Sequence, residues 1–300
     1  MRLLKLTLLL LPAVVSSACT ANKHFYHPTG HIYPAPTRFG LRYEDVTFPS
    51  KDGTMLTGWF VKGFGKEPKG TVIHFHGNAH NMANHFPAAA WLPKYGFNLL
   101  AFDYRGYGKS GGKPSPGGLY LDCLAAIEYA KSRKEVDPDK IVLFGQSLGA
   151  ANAITVVGKP ASEMTPISGI RAVLADSSFY SYRSIAASKV RQMPLVSFIR
   201  KPLAFLIVDN RYSPERFVPF ISPIPILFIH GDSDDIIPIS HSEQLFKIAK
   251  APKTFWKVTG GRHTDAILKH PRTYQPRIVR FFLDAIAKPL PEPPPTPASQ

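Results

Sequence analysis

The chain has 300 residues, of which 44% are hydrophobic, and it carries a formal net charge of +15 at pH 7. This length and hydrophobic content suffice for one sizeable core, so we expect one main domain. The charge does not indicate nucleic-acid binding, because lysine and arginine occur in ones and twos without a long basic tract. Two other interpretations of the charge remain, namely attraction to an anionic membrane face and a merely basic soluble surface.

The N-terminus has the form of a secretory signal. Residues 1–5 carry positive charge, and residues 6–15 form an apolar run that is too short for a permanent membrane span. Small residues then precede Cys19, as in the bacterial lipobox, whose cysteine is lipidated and becomes the first residue of the mature protein. Ser16 stands where the lipobox usually has leucine, so ordinary cleavage after Ala18 is the alternative.

These features predict an exported bacterial protein whose signal peptide, residues 1–18, is removed. Thr20 follows the lipidated cysteine, and the lack of aspartate there favours the outer membrane; without the lipid, the protein would be periplasmic. Residues 19–40 hold three prolines and two glycines, which is typical of an extended tether. Cys123 is the other cysteine, so no intrachain disulfide is available once Cys19 is acylated.

Short apolar strands alternate with helices between residues 41 and 288. The predicted strands are Tyr43–Phe48, Met55–Val61, Thr71–His76, Asn98–Phe102, Ile141–Phe144, Ala172–Leu174, Ile226–Ile229 and Thr254–Val258. The predicted helices lie near residues 83–94, 118–133, 148–157, 240–250 and 271–287. This alternation predicts an α/β fold, with a mostly parallel sheet of about eight strands, helices on both faces and an antiparallel hairpin at its start.

Functional groups of such a sheet collect beyond the carboxyl ends of its strands. The turn after the third strand, residues 74–79, is rich in small residues, and its backbone N–H groups can form half of an oxyanion hole. His76 is expected to shape this turn through hydrogen bonds. The glycine-rich loop after the fourth strand lacks P-loop spacing, which argues against nucleotide binding and leaves Asp103 and Arg105 as structural polar groups.

The fifth strand ends in Gly-Gln-Ser-Leu-Gly, residues 145–149. A strand, a sharp turn and a helix with serine at the apex would expose the hydroxyl of Ser147, and the N–H of Leu148 would form the other half of the oxyanion hole. The motif is short and also occurs by chance in ordinary glycine-rich loops, so other residues must decide between these interpretations.

The segment between residues 179 and 222 has the usual position of a lid. It mixes apolar stretches with basic residues, so it fits either a cover over an acyl-binding cavity or a plain helical cap. Residues 289–300 form a proline-rich tail that cannot join a helix or a sheet.

The last two strands are followed by candidate partners for the serine. Three aspartates lie at positions 232, 234 and 235, without the spacing of a calcium loop, so we predict no metal site. His263 lies on a flexible turn before the final helix, where it would otherwise be a surface histidine. The order of serine, aspartate and histidine, each beyond a strand end, predicts a catalytic triad.

With these motifs the sequence resembles the α/β-hydrolase family, in particular its Bem46-like branch with the ABHD13- and ABHD17-like proteins. The matching motifs are His76-Gly77-Asn78-Ala79, Asp103-Tyr104-Arg105-Gly106-Tyr107-Gly108-Lys109-Ser110, Gly145-Gln146-Ser147-Leu148-Gly149, the turn from His230-Gly231 to Ile237-Pro238, and Gly261-Arg262-His263. The resemblance implies that Asp234 is the triad acid, with Asp232 as second candidate, and that the N–H groups of Asn78 and Leu148 bind the oxyanion. Arg262 departs from the pattern, because relatives carry a small or hydrophobic residue there.

The resemblance implies a serine hydrolase that cleaves carboxylic ester or thioester bonds of small acyl or lipid-like substrates, with a Ser147, His263 and Asp234 triad and without a cofactor. The expected partners are the substrate and the membrane, through the lipid on Cys19, and the oligomeric state stays open. Two alternatives are a serine peptidase of the same fold, which the lack of a propeller-sized N-terminal region disfavours, and a non-catalytic envelope lipoprotein.

Overall fold

A computed structural model describes residues 25–30, 35–190 and 209–289. The predicted signal peptide, Cys19 and the first part of the tether lie outside the described residues, as do residues 191–208 of the predicted lid and residues 290–300 of the tail.

The strands of the described residues are β1 (His27–Pro28), β2 (Glu44–Pro49), β3 (Met55–Val61), β4 (Gly70–Phe75), β5 (Ala79–His80), β6 (Phe97–Phe102), β7 (Ile141–Gln146), β8 (Ile170–Asp176), β9 (Ile226–Gly231) and β10 (Lys253–Val258). Eight of them form one sheet in the order β10-β9-β8-β7-β4-β6-β3-β2. Within the eight-stranded sheet, β3 pairs antiparallel with β2 and β6, and the other pairings are parallel. The predicted mostly parallel sheet with an antiparallel start is confirmed.

Helices cover both faces of the sheet. They are α1 (Met82–His85), α2 (Pro116–Ser132), α3 (Leu148–Ser162), α4 (Tyr182–Val190), α5 (Ser240–Ile248), α6 (Ala266–Lys269) and α7 (Pro271–Ala287). In the central strand β7, Ile141 and Leu143 join a core cluster with α2 and α3, whereas Val142 and Phe144 join a second cluster with α7. This alternation follows from side chains pointing to opposite faces at successive strand positions. Among the helices of the described ranges, none is long and apolar enough to cross a bilayer.

The helix predicted over residues 83–94 is wrong. The segment forms the single turn α1 and two short 3-10 turns, Phe86–Ala88 and Leu92–Tyr95. Pro87 and Pro93 explain the difference, because proline lacks the N–H that a continuous helix needs and clashes with the preceding turn.

Part of the segment predicted as a tether lies against the domain. Strand β1 pairs in parallel with β5, next to the turn that follows β4. The Tyr26 side chain is buried in the core. Farther along, the short turn Pro36–Phe39 leads into β2, with Pro36 buried.

Candidate active site

Ser147 lies at the sharp turn between β7 and α3. Its backbone has φ of +54° and ψ of −112°, a strained conformation for a residue other than glycine. The Ser147 N–H donates to the carbonyl of Asp176 at 2.8 Å, which ties the turn to the end of β8. A Cβ at Gly149 would stand 1.9 Å from the carbonyl oxygen of Phe75, so only glycine lets α3 start this close to β4.

Asp234 and His263 form the hydrogen bond that a triad requires. The distance from His263 Nδ1 to Asp234 Oδ2 is 2.7 Å, and the Asp234 side chain is fully buried. The other carboxyl oxygen accepts the N–H groups of Ile236 and Ile237 at 2.9 and 2.8 Å. Since a carboxylate can only accept, His263 Nδ1 carries the proton and Nε2 is left to act as a base.

His230 contacts the carboxylate of Asp234. Its Nε2 lies 3.1 Å from Asp234 Oδ2 and 2.8 Å from the Ile237 carbonyl, and its Nδ1 lies 2.7 Å from Ser242 Oγ. Burial alone would raise the pKa of Asp234, but the hydrogen bonds from His230 and His263 outweigh burial and lower it below the ordinary value. The carboxylate therefore stays charged at neutral pH.

The other residues of these two turns point elsewhere. Asp232, the second candidate for the acid, accepts the Gly260 N–H at 2.8 Å and lies 3.5 Å from Lys257 Nζ. Asp235 is exposed, and so is Arg262, whose backbone N–H donates to Asp265. The structure thus brings Asp234, and neither of its acidic neighbours, to His263.

The loop after β8 contacts both the turn that carries Ser147 and the turn that carries His263. The carbonyl of Asp176 holds the Ser147 N–H, and Ser177 Oγ accepts the N–H of Thr264, next to His263, at 3.2 Å. Among the described residues, no hydrogen bond joins the Ser147 hydroxyl to the His263 ring. In enzymes without bound substrate, such a catalytic hydrogen bond is often long and shortens when substrate binds.

The two predicted oxyanion donors are the backbone N–H groups of Leu148, next to Ser147, and of Asn78, in the turn after β4. Leu148 is the first residue of α3, so its N–H has no acceptor within the helix and lies at the positive end of the helix dipole. Asn78 follows β4, and within the described ranges its backbone N–H donates no hydrogen bond, whereas its side chain makes three. Both N–H groups are therefore available to a ligand.

A buried polar layer supports the turn after β4. His76 Nδ1 lies 2.7 Å from the Gly77 carbonyl, and its Nε2 lies 3.6 Å from Asp103. Burial, and then the nearby charge of His85, lowers the pKa of His76 well below its ordinary value. Neutral His76 thus shapes the turn, as predicted, and Arg105 is structural as well, since it is paired with Asp122.

Sequence reasoning missed the polar groups at the end of β8. Asp176 is buried beside the serine turn, and burial raises its pKa to about 6, although hydrogen bonds from Gln146 and Ser177 and the nearby histidines oppose the increase. Ser177 and Thr264, like the serine at the apex, have positive φ, at +55° and +51°. The strand-end rule that found the other residues would also have found Asp176, because it closes an apolar strand.

Within the described ranges, no group of His, Cys, Asp and Glu side chains could hold a metal ion. Cys123 is a free, buried thiol whose pKa is raised by burial, so it is not a second nucleophile. The chemistry that these residues support is nucleophilic attack by Ser147, with a histidine base and an oriented acid.

Comparison with known proteins shows the family of the chain. Residues 66–185 match a family model described as serine aminopeptidase S33. The uncharacterised protein YfhR of Escherichia coli K12 is 42% identical over 271 residues, which cover 89% of this chain and 88% of YfhR. The α/β-hydrolase domain-containing protein WAV2 of Arabidopsis thaliana is 30% identical over 269 residues, 83% of this chain and 82% of WAV2.

A solved esterase has the same architecture. The esterase Pf2001 of Pyrococcus furiosus superposes with a TM-score of 0.71 at 26% identity, covering 88% of this chain and 99% of the esterase. The fold is therefore shared with a protein that is named an esterase.

Proposed function

Because the chain belongs to the α/β-hydrolase family, we propose that it is a serine hydrolase that cleaves carboxylic ester or thioester bonds through an acyl-enzyme. The observation that carries this proposal is the 2.7 Å hydrogen bond between His263 and a buried, charged Asp234, in a chain whose Ser147 has the strained conformation of a nucleophile turn.

The proposed first step is acylation of Ser147. His263 Nε2 takes the hydroxyl proton while Oγ attacks the substrate carbonyl, and the N–H groups of Asn78 and Leu148 bind the oxygen that becomes negative. The tetrahedral intermediate then collapses, and the leaving alcohol or thiol receives the proton from His263. Asp234 remains ionised throughout and stabilises the imidazolium.

The second step hydrolyses the acyl-enzyme. Water gives a proton to His263 and attacks the acyl carbonyl, and the free acid leaves as Ser147 recovers its proton. All atoms come from substrate and water, so the reaction needs no cofactor.

Labelling with a fluorescent alkyl phosphonate tests the nucleophile. We expect the wild type to be labelled once, and Ser147→Ala to lose both label and esterase activity while keeping its circular dichroism spectrum. Ser132→Ala, an exposed serine on α2, is the matched control and should be labelled like the wild type. Retained labelling of Ser147→Ala would refute the assignment.

We further propose acyl or lipid-like substrates. One support is a pair of buried aromatic side chains at the start of the predicted lid, Phe179 and Tyr182, whose ring centroids lie 5.0 Å apart. The other is the solved esterase described above. Hydrolysis of p-nitrophenyl esters with acyl chains from two to sixteen carbons would test this, with an optimum at medium or long chains expected. A preference for acetate would contradict the lipid-like class.

A serine peptidase is the second candidate, favoured by the description of the matching family model. Amino-acid p-nitroanilides assayed beside the esters would distinguish the two, since a peptidase should release nitroaniline whereas an esterase should leave the anilide bond intact. If neither substrate class turns over and no phosphonate label appears, the chain is a non-catalytic envelope protein.

We also propose that the enzyme is exported and held at the bacterial outer membrane by a lipid on Cys19. The support is the sequence alone, with its charged start, apolar run and small residues before the cysteine. Palmitate labelling of cells should mark the wild type and not Cys19→Ala. An unlabelled wild type recovered from the periplasm would favour ordinary signal cleavage.

A further inference from the structure

The segment Phe25–Gly30, here called the N-terminal clamp, lies directly on the oxyanion turn. It begins six residues after Cys19 and includes β1, which pairs with β5 immediately after Asn78. The predicted mechanism assigns this segment no role, although it contacts a residue that the mechanism needs.

The clamp makes two of the three hydrogen bonds of the Asn78 side chain. Asn78 Nδ2 donates to the carbonyl of Phe25 at 2.5 Å, and Oδ1 accepts the N–H of His27 at 3.4 Å. The hydroxyl of Tyr107 donates to the same Oδ1 at 2.8 Å. Two of the three contacts therefore come from the backbone of the clamp, and the third comes from the loop after β6.

Further contacts fix the clamp itself. The Thr29 N–H donates to the carbonyl of His80 at 3.0 Å, and the Thr29 carbonyl accepts the N–H of Gly108 and the side-chain amide of Asn81 at 3.1 and 3.2 Å. These bonds connect the oxyanion turn to the loop after β6 through a strand that is distant in sequence.

Aromatic packing anchors the start of the clamp. Tyr26 is only 3% exposed, and the Phe25 ring lies 5.2 Å from that of Tyr182 and 6.3 Å from that of Phe179, measured between centroids. Both partners belong to the described start of the predicted lid, so the clamp joins the lid to the oxyanion turn.

We propose that the N-terminal clamp is a positioning element of the active site, which orients Asn78 so that its backbone N–H faces the developing oxyanion. The side chain and the N–H of Asn78 share one Cα, so a side chain fixed on three sides restricts rotation of the preceding peptide plane. An oxyanion donor acts only when it is preorganised, and its removal costs about 10²- to 10³-fold in kcat in other hydrolases. This proposal rests on the proposed serine hydrolase function.

A matched pair at His27 tests the clamp with little change to packing. The His27 side chain is exposed and its backbone N–H makes the contact, so His27→Pro removes the donor whereas His27→Ala keeps it. We expect kcat on a p-nitrophenyl ester to fall about 10-fold in His27→Pro, with KM within about 2-fold, and no change in His27→Ala. Tyr26→Ala, which loses the buried anchor, should lower kcat by about 10- to 100-fold.

Rates are expressed per active site, with sites counted by complete phosphonate labelling, so that a partly unfolded sample does not imitate slow catalysis. A lower number of active sites with unchanged kcat per site, or an effect on KM alone, would show a merely structural role and overturn the proposal. If Tyr26→Ala does not fold, the His27 pair decides. A wild type without esterase activity or label would instead refute the proposed function, which keeps the two failures distinct.

Discussion

Replacing Asp103 with asparagine should remove a pH-dependent loss of stability. The residue is 3% exposed, and one carboxyl oxygen accepts the N–H of Met82 at 2.7 Å. The other oxygen lies against Gly108, where a Cβ would stand 2.0 Å away, so this side of the carboxyl is closed to water. Burial raises the pKa of Asp103 to about 7, and the Met82 N–H opposes the increase only in part.

The sign and size of the effect follow from linkage. In the unfolded chain this carboxyl titrates near 3.8, so the folded state binds its proton more tightly. The free energy of unfolding therefore falls as pH rises from about 4 through about 7. Each pKa unit corresponds to about 1.4 kcal/mol, so the total is about 4 kcal/mol, of which about 3 kcal/mol is lost between pH 5 and pH 8.

Urea unfolding of the wild type and Asp103→Asn at pH 5, 6, 7 and 8 measures this difference. We expect the variant to gain about 3 kcal/mol relative to the wild type across that range, because its amide keeps an acceptor for Met82 and never becomes charged. Asp284→Asn, an exposed aspartate on α7, changes the net charge equally and should follow the wild type. A difference between wild type and Asp103→Asn that is the same at pH 5 and pH 8 would refute the reasoning.

Four further substitutions test the roles assigned to individual residues. Asp234→Asn should lower kcat by about 10³- to 10⁴-fold in the ester assay, whereas Asp232→Asn should stay within about 3-fold of the wild type; the reverse order would move the acid to the second candidate. Gly149→Ala should destabilise the protein by about 3 kcal/mol or more in urea melts, because its Cβ would collide with a strand carbonyl, and a change below about 0.5 kcal/mol would contradict that geometry. Asp122→Ala should cost about 3 kcal/mol, since it leaves the largely buried Arg105 with one partner fewer, yet folded protein should keep the wild-type kcat; a loss of kcat would give this ion pair a catalytic role.

The sheet and the pairing of Asp234 with His263 could be predicted because both follow from local rules. Apolar runs mark the strands, and a parallel sheet places the residues after them at one edge, which brought Asp234 and His263 together from separate turns. The choice between Asp232 and Asp234 needed the family resemblance, since spacing alone left both open. The structure shows the difference in burial that spacing could not give.

Other features depended on contacts that are distant in sequence. Strand β1 has two residues and is held by Asn78 and by its pairing with β5, which lie far along the chain, so its local composition indicated only a tether. His230 was seen as part of a turn, but its contact with the acid requires the packing of Ser242 on α5. Such positions become visible only when tertiary packing is known.

The strand order has a consequence for how activity arises during synthesis and export. Strands β2, β3, β6 and β4 all lie before residue 103. Strand β7 then joins the sheet beside β4, and β8, β9 and β10 follow one at a time, each beside its predecessor. A chain that emerges from its N-terminus can therefore extend the sheet outward from one edge without rearranging earlier strands. Ser147 follows β7, but Asp234 and His263 follow β9 and β10. We therefore expect a chain that lacks these last two strands to be catalytically inactive. We therefore expect hydrolytic activity to arise in the last step of folding, when β10 and the turn that carries His263 are in place.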